Sequence, residues 1–307
     1  MTDAIWSTIS DPALFATVLR VMTPLLLAAL GILISDRAGV LNIGMEGMML
    51  SGALVGVLAS AWTGTPIIGL FAAIACGAGL GALMALAING LGTHFIITGI
   101  ALNLAAASAT TLGLFLATGD KGMSGALQSG VLPSIHIPLL KDIPVLGALL
   151  SGHHMLTYLA IACVPLVSIM LARTPFGLHV RAVGADPKAA AAAGISRNRT
   201  QLYALMISGM FGGAAGAYLS MGYVSWFAQN MTAGRGFIAI AAEVMGMGTA
   251  WGTFAAAAVL AIAETSAITM QALGLPNELM QMIPYIVPVI VLTVYAARRK
   301  AKARTHS

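Results

Sequence analysis

Charged residues are scarce in this sequence of 307 residues, at 8% of the chain, whereas 59% of the residues are hydrophobic. An ordinary soluble domain carries about 25% charged residues. The composition therefore excludes a water-soluble globular enzyme, a disordered chain and a nucleic-acid-binding protein of the usual kind. Aromatic residues are also few, at 6%, while 35 residues are glycine. This mixture favours helices packed closely against helices in lipid.

Cysteine is nearly absent, and the common catalytic motifs are missing. Cys76 and Cys163 lie in separate apolar runs, so neither a disulfide framework nor zinc-ligand spacing is present. No lysine is followed by Ser or Thr, which excludes the phosphate-binding loop of ATPases, and neither HExxH nor GxSxG occurs. For the adjacent His153 and His154 we expect solvated side chains and no metal. The sequence predicts no catalytic residue, cofactor or metal site.

Long apolar runs fill most of the chain, and a membrane crossing needs about 20 apolar residues. The candidate spans are Leu14–Ser35, Val40–Ala59, Pro66–Ile88, Phe95–Ala117, Met155–Leu171, Leu202–Tyr223, Phe237–Gly248, Thr253–Gln271 and Ile283–Ala297. Phe237–Gly248 is too short to cross unaided, because about 12 helical residues rise only about 18 Å. We predict an all-α, polytopic membrane protein, one transmembrane domain over residues 1–307, with about eight or nine crossings including a broken or re-entrant segment.

Two blocks of basic residues set the predicted orientation, because Lys and Arg accumulate in cytoplasmic loops. One block is the loop 173–200, and the other is the C-terminal tail 298–307. With both in the cytoplasm, the polar insert 118–154 lies outside. The loop is expected to contain a short alanine-rich helix, which Asp186 caps and Gly194 ends. Its small side chains would let another protein approach closely.

Polar residues within the spans are candidates for a solute pathway, since ionisable groups in lipid face a cavity or a partner. On a helix, Asn42 and Glu46 share one face, in a glycine-rich stretch like the broken helices of transporters. Asn103 in the fourth span and Glu243 in the short segment are further candidates. A structural hydrogen bond is the alternative interpretation for each of them.

The loop motif gives the sequence a recognisable likeness. The loop 173–200 resembles the permease subunits of ABC importers, and more narrowly the branched-chain amino acid/ribose-type permease family. The residues that carry the resemblance are Gly177, Arg181-Ala-Val-Gly184, Ala189-Ala190 and Gly194-Ile195. The stretches Arg37–Met49 and Ile97–Asn103 are similar to its nucleoside/simple-sugar branch. Lys188 stands where the general importer loop usually has Glu, which is a departure from that broader motif.

The resemblance implies that this chain forms half of the translocation pathway of an importer in the bacterial plasma (inner) membrane. The implied solute is neutral and polar. Nucleosides are favoured, with simple sugars as the alternative. It also implies a cytoplasmic ABC ATPase, a second, paralogous permease, an extracytoplasmic substrate-binding protein or lipoprotein, and no nucleic acid. The candidates for contact with the ATPase are Gly177, Arg181, Gly184, Asp186, Ala190 and Gly194.

Two other function classes remain open at this point. A self-powered secondary transporter would use Glu46, Glu243 or Glu264 as a proton carrier. An intramembrane enzyme would need a nucleophile and a base, and the sequence offers no recognisable pair.

Overall fold

The computed structural model of the protein describes residues 12–125, 127, 129–135, 152–222, 224–272, 282, 286–291 and 293. The helices with both ends in these residues are α1 (Pro12–Arg37), α2 (Met45–Thr63), α3 (Pro66–Gly90), α4 (Phe95–Thr118), α5 (Met155–Arg173), α6 (Pro175–Ala185), α7 (Pro187–Ala192), α8 (Arg197–Met221), α9 (Arg235–Met245) and α10 (Ala250–Ala272). The strands β1 (Ser134–Ile135) and β2 (His153–His154) pair antiparallel.

Within the described residues, seven helices are long and apolar enough to span a membrane: α1, α2, α3, α4, α5, α8 and α10. They match seven of the nine predicted spans, so the polytopic helical fold is confirmed. The short predicted segment Phe237–Gly248 overlaps α9, which has 11 residues. The last predicted span, Ile283–Ala297, lies only partly within the described residues, and the tail 298–307 lies outside them.

The second span begins later than the sequence predicts, at Met45 instead of Val40. The chain turns after α1, where the backbone N–H groups of residues 38 and 40 both donate to the Ser35 carbonyl. Gly39 in this turn has φ +78°. Asn42 therefore precedes α2, and the prediction that it shares a helix face with Glu46 is wrong.

Helix α8 is the centre of the bundle and packs against α3, α2 and α1. Its small residues bring the backbones into contact. A Cβ on Gly77 of α3 would meet the Gly209 carbonyl of α8, and a Cβ on Gly216 of α8 would meet the Met49 carbonyl of α2. Small residues allow this close approach in lipid, where helix association depends on van der Waals packing. The glycines are thus structural elements of the core.

The bundle has two chemically different ends. The end that we call the basic end carries Arg37, Arg173, Arg197 and the helices α6 and α7. The opposite end, which we call the loop end, carries Trp62, residues 119–125 and 129–135, and the β1–β2 pair. The cytoplasmic location of the loop 173–200 and the outer location of 118–154 stay predictions.

The paired histidines at the loop end are buried, at 5% and 8% exposure, so the prediction of solvated side chains is wrong. They form β2, which residues 134–135 cover through backbone pairing. The Nδ1 atom of His154 lies 2.9 Å from the Leu132 carbonyl oxygen. Burial lowers the pKa of His154, although this hydrogen bond acts in the opposite direction.

Candidate functional site around the half helix

Helix α9 begins in the interior of the bundle, and we call it the half helix. Its 11 residues rise about 16 Å, roughly half of the hydrocarbon thickness of a bilayer. It packs against α1 and α10 and touches α2. The chain reaches it from the loop end through residues 224–234, in which Asn230 and Ala233 have positive φ. Irregular backbone at such a depth is tolerated where protein surrounds it or where it lines a cavity.

Glu46 of α2 caps the first turn of the half helix. Its Oε1 accepts a hydrogen bond from the backbone N–H of Gly234 at 2.8 Å, and its Oε2 accepts one from Gly236 at 2.6 Å. The first amides of a helix lack partners within the helix and form its positive end, so a carboxylate is a favourable partner. A Cβ at position 236 would collide with Glu46. Glycine there lets α9 approach α2 this closely.

An ion pair connects the start of the half helix to α10. The Nη2 atom of Arg235 lies 2.7 Å from Oε1 of Glu264, and the two side chains are 24% and 14% exposed. An isolated charge at this depth would be costly, and each partner offsets the cost for the other. Glu264 is thus engaged in a structural pair, which argues against its use as a proton carrier.

Arg37 holds the other end of the half helix. Its Nε donates to the Gly248 carbonyl at 2.7 Å, and its Nη2 reaches the same oxygen. A cation near the last carbonyls complements the negative end of the helix dipole. Glu243 also lies at this end, 3% exposed, with Asp36 and Arg37 as charged neighbours. The two candidate glutamates therefore lie at opposite ends of α9, Glu46 of α2 at its start and Glu243 near its last residue.

The candidate asparagines support the start of α2. Asn103 of α4 donates from Nδ2 to the Ile43 carbonyl at 2.8 Å, and its Oδ1 accepts from the Gly47 N–H at 2.8 Å. Asn42 is fully buried and donates to Oγ of Ser208 at 2.9 Å. Asn103 thus adjoins the turn of α2 that carries the capping carboxylate. A pathway role for these residues and the two glutamates stays a prediction.

Sequence reasoning missed the role of Arg37. A signal was present, because Arg37 is the only Lys or Arg between Arg20 and Lys121. A single cation in so long an apolar stretch needs an acceptor nearby. The acceptor is a backbone carbonyl of residue 248, which no local pattern identifies.

Helix α6 packs on the basic end through its glycines. A Cβ on Gly177 would meet the Met170 carbonyl of α5, and a Cβ on Gly184 would meet the Arg37 carbonyl at the end of α1. Arg181 is exposed, and its Nη2 lies 3.5 Å from a carbonyl of α5. Two of the candidate coupling residues therefore fix the position of α6, and the third projects from it.

Helix α7 has the local structure that its sequence predicts. The Oδ1 atom of Asp186 accepts from the N–H groups of Lys188 and Ala189, at 2.8 and 3.1 Å, and so caps the helix. Gly194 has φ +81° and follows the helix end. Ala190 is buried, whereas residues 191–194 are exposed. The helix thus presents a small, smooth face at the basic end.

Comparison with known proteins gives a consistent result. The family model described as branched-chain amino acid transport system, permease component, matches residues 14–292. The guanosine ABC transporter permease protein NupQ of Bacillus subtilis is 36% identical over 293 residues, which cover 91% of this chain and 90% of NupQ. The nucleoside ABC transporter permease protein NupC of Lactococcus lactis subsp. cremoris is 29% identical over 294 residues, 92% of each chain.

A relative named for a sugar also matches. The putative glucose ABC transporter permease protein TsgC13 of Haloferax volcanii is 40% identical over 228 residues, which cover 72% of this chain and 67% of TsgC13. No solved structure matches the chain.

These findings confirm the resemblance carried by the loop motif and the two membrane stretches. The protein is a multi-pass permease subunit of the inner membrane and not an enzyme, and a partner supplies ATP hydrolysis. The chain belongs to the permease-component family of the branched-chain amino acid transport system.

Proposed function

We propose that this chain forms half of the translocation pathway of an ABC importer for nucleosides. The observation that carries the proposal is the extent of the match: relatives named for guanosine and nucleosides align over 91% and 92% of the chain, against 72% for the glucose-named relative. Simple sugars are the second candidate, because the glucose-named relative has the higher identity over its shorter alignment.

The electrostatics of the half helix agree with a neutral solute. The Glu46 carboxylate is occupied by two backbone amides, and Arg235 is occupied by Glu264. Charges that are engaged in this way are poor binding partners for an ion, since an incoming ion would have to displace them. At the start of the half helix, neutral hydrogen-bonding groups are then what remains for a solute.

We further propose that the ATPase docks on α6 and α7 at the basic end. The support is the smooth face of α7 and the contact between Gly184 and the Arg37 backbone. The Arg37 side chain also binds the Gly248 carbonyl at the end of the half helix. A movement of α6 would therefore be transmitted to α9 through Arg37. A substrate-binding protein or lipoprotein would deliver solute at the loop end.

The second half of the pathway is proposed to be a paralogous permease. Two guanosine-named permeases of Bacillus subtilis are both related to this chain, at 36% and 27% identity. Two distinct permeases for one named solute are what a heteromeric pathway requires. Most of helix α4 is exposed, since only 22% of its most apolar stretch is buried, and it leaves a large face for such a partner.

The test is purification of the tagged chain from its native membrane in mild detergent, followed by uptake assays. We expect an ATPase and a second, related permease to co-purify. Vesicles that contain the complex should accumulate guanosine or adenosine, and excess glucose or leucine should not reduce this uptake. A chain that purifies alone while known complexes survive would contradict the importer. Glucose uptake without nucleoside uptake would select the sugar alternative.

Docking is tested with one exposed side-chain variant and with two valine variants that carry the same kind of backbone strain at opposite ends of the bundle. Arg181→Ala and Gly194→Val are expected to reduce the co-purified ATPase several-fold at unchanged permease level, because both alter the α6–α7 surface. Gly64→Val is the matched control, since Gly64 has φ +69° and open space like Gly194 but lies at the loop end. ATPase recovery equal to that of the wild type in Arg181→Ala and Gly194→Val would remove α6 and α7 from the interface.

A further inference from the structure

A cleft of about 620 Å³ opens on the exposed face of α4 toward the loop end. Ser108, Thr111 and Phe115 of α4 form one wall, Lys121 lies at the rim, and Gln229 of the irregular segment forms the other wall. The volume lies in the range of small-molecule sites, about 300–1,000 Å³. The contacts of the half helix described above do not involve this cleft.

The Gln229 wall is held in place by hydrogen bonds. The backbone N–H of Gln229 donates to the Gly122 carbonyl at 2.9 Å, and its Nε2 donates to Oγ1 of Thr111 at 3.3 Å. The Lys121 ammonium lies 5.3 Å from the centre of the Phe115 ring. The cleft therefore combines a fixed carboxamide, hydroxyl groups and an aromatic ring, with the Lys121 ammonium placed over that ring.

The segments that line the cleft also carry residues that contact the start of α2 and of the half helix. Ala107, which lines the cleft, lies one helical turn from Asn103 on the same face of α4. Asn103 contacts the first turn of α2, where Glu46 caps α9. On the opposite wall, the chain passes from Gln229 to the capped amide of Gly234 within the segment 224–234. Each wall thus continues, along its own segment, to a residue that contacts the first turn of α2.

Polar groups on this face are costly if lipid covers them. Ser108 and Gln229 are exposed, and Ser108 lies within a membrane-spanning helix. Such groups are stable where a protein partner or water covers them. In the proposed complex, a second permease packed on α4 would supply that cover, and the cleft would become an internal space between the two subunits.

We propose that this cleft binds the nucleoside between the loop end and the half helix, an assignment that rests on the proposed function. The face of the Phe115 ring that the Lys121 ammonium does not cover suits the flat face of a base, because aromatic rings stack on one another. The hydroxyl of Ser108 and the Thr111–Gln229 pair suit the hydroxyl groups of the sugar. The site takes a neutral molecule that combines one flat aromatic face with several hydroxyl groups.

Thiol labelling of the complete importer in vesicles tests the site. In a chain with Cys76→Ala and Cys163→Ala, Ser108→Cys is expected to react with a membrane-impermeant methanethiosulfonate reagent. Guanosine at about ten times its half-saturating concentration leaves about a tenth of the sites open and should slow the reaction about tenfold. Leu166→Cys is the control, because Leu166 is exposed on α5, which packs against α1 and α10 on another side of the bundle. It should stay unlabelled.

A second pair of variants does not depend on labelling. Thr111→Val keeps the shape and removes the hydroxyl, so the half-saturating nucleoside concentration should rise about threefold to tenfold, the effect of one hydrogen bond. Thr110→Val is its neighbour and control. Both hydroxyls bond carbonyls of α4, Thr110 at 2.7 and 3.1 Å and Thr111 at 2.9 Å, but only the Thr111 hydroxyl lines the cleft and accepts from Gln229. Loss of the Thr110 hydroxyl should leave that concentration unchanged.

The outcomes separate the site from the function. Nucleoside uptake together with an unreactive or unprotected Ser108→Cys would overturn the cleft and leave the transport function standing. Vesicles that accumulate no nucleoside would overturn both the nucleoside function and the nucleoside site. The site is supported if guanosine protects Ser108→Cys, if the half-saturating nucleoside concentration rises in Thr111→Val, and if that concentration is unchanged in Thr110→Val.

Discussion

Replacing Glu46 with Gln tests whether a side-chain carboxylate holds the half helix in the bundle. The substitution preserves the size of the side chain but leaves one acceptor oxygen for two amides, at Gly234 and Gly236. The new NH₂ group would face a backbone N–H. A hydrogen bond to a charged group contributes about 1.5–3 kcal/mol, and a charge at a helix N-terminus contributes about 0.3–1 kcal/mol. The docking of α9 should therefore weaken by about 2–4 kcal/mol.

Hydrogen–deuterium exchange measures this weakening directly. Since about 1.4 kcal/mol corresponds to a factor of ten, amides in the first turn of α9 should exchange about 30-fold to several hundredfold faster in Glu46→Gln. Glu243→Gln is the matched control, because Glu243 lies near the other end of the same helix. Its effect on the first-turn amides should be small. Unchanged exchange at those amides in Glu46→Gln would refute the argument that the carboxylate anchors the helix.

Three further predictions concern packing, the basic end and pH. Gly77→Ala should lower the melting temperature in detergent, because the new Cβ would meet the Gly209 carbonyl and overpacking costs about 1–3 kcal/mol. Gly79→Ala is the control, because a Cβ there meets open space, and its effect on the melting temperature should be neutral or stabilising. Arg37→Ala should speed amide exchange at residues 246–249, and Arg37→Lys should restore part of the protection if charge contributes; equal exchange in both variants and the wild type would contradict the assigned contacts. The pKa of His154 is lowered by burial, so the folded loop disfavours protonation and should lose stability as the pH falls below about 6.5. Exchange at residues 132–135 measured at neutral and mildly acidic pH should show this loss, and His154→Gln should remove the pH dependence.

The sequence predicted those parts of the fold that depend on local composition. Apolar runs identified seven spans, because a bilayer imposes the same length requirement on each of them. The cap of α7 was also predicted, since Asp186 binds amides only two and three residues away. Both features follow from neighbouring residues.

The remaining features depend on contacts between distant residues. Apolar residues continue from Val40 into α2, so hydropathy alone extends the helix too far toward its start. The actual start is fixed by Asn103, whose amide binds both sides of the boundary from about 60 positions away. Likewise, Glu46 could be recognised as a membrane-depth carboxylate, but its partners are 188 and 190 positions away. No pattern in the sequence pairs them.

The three side chains that fix α9 also impose an order of assembly during synthesis. Chains are made from the N-terminus and their early parts fold first, so Arg37 and Glu46 are already in the membrane when residues 235–248 leave the ribosome. A helix of 11 residues is too short to insert alone. It therefore packs onto α1 and α2, which are inserted before it. Glu264 arrives last, and until α10 inserts, Arg235 has no carboxylate partner on that side. The half helix is therefore completed only when the next span is in place, and without α10 the charge of Arg235 would lack its carboxylate partner.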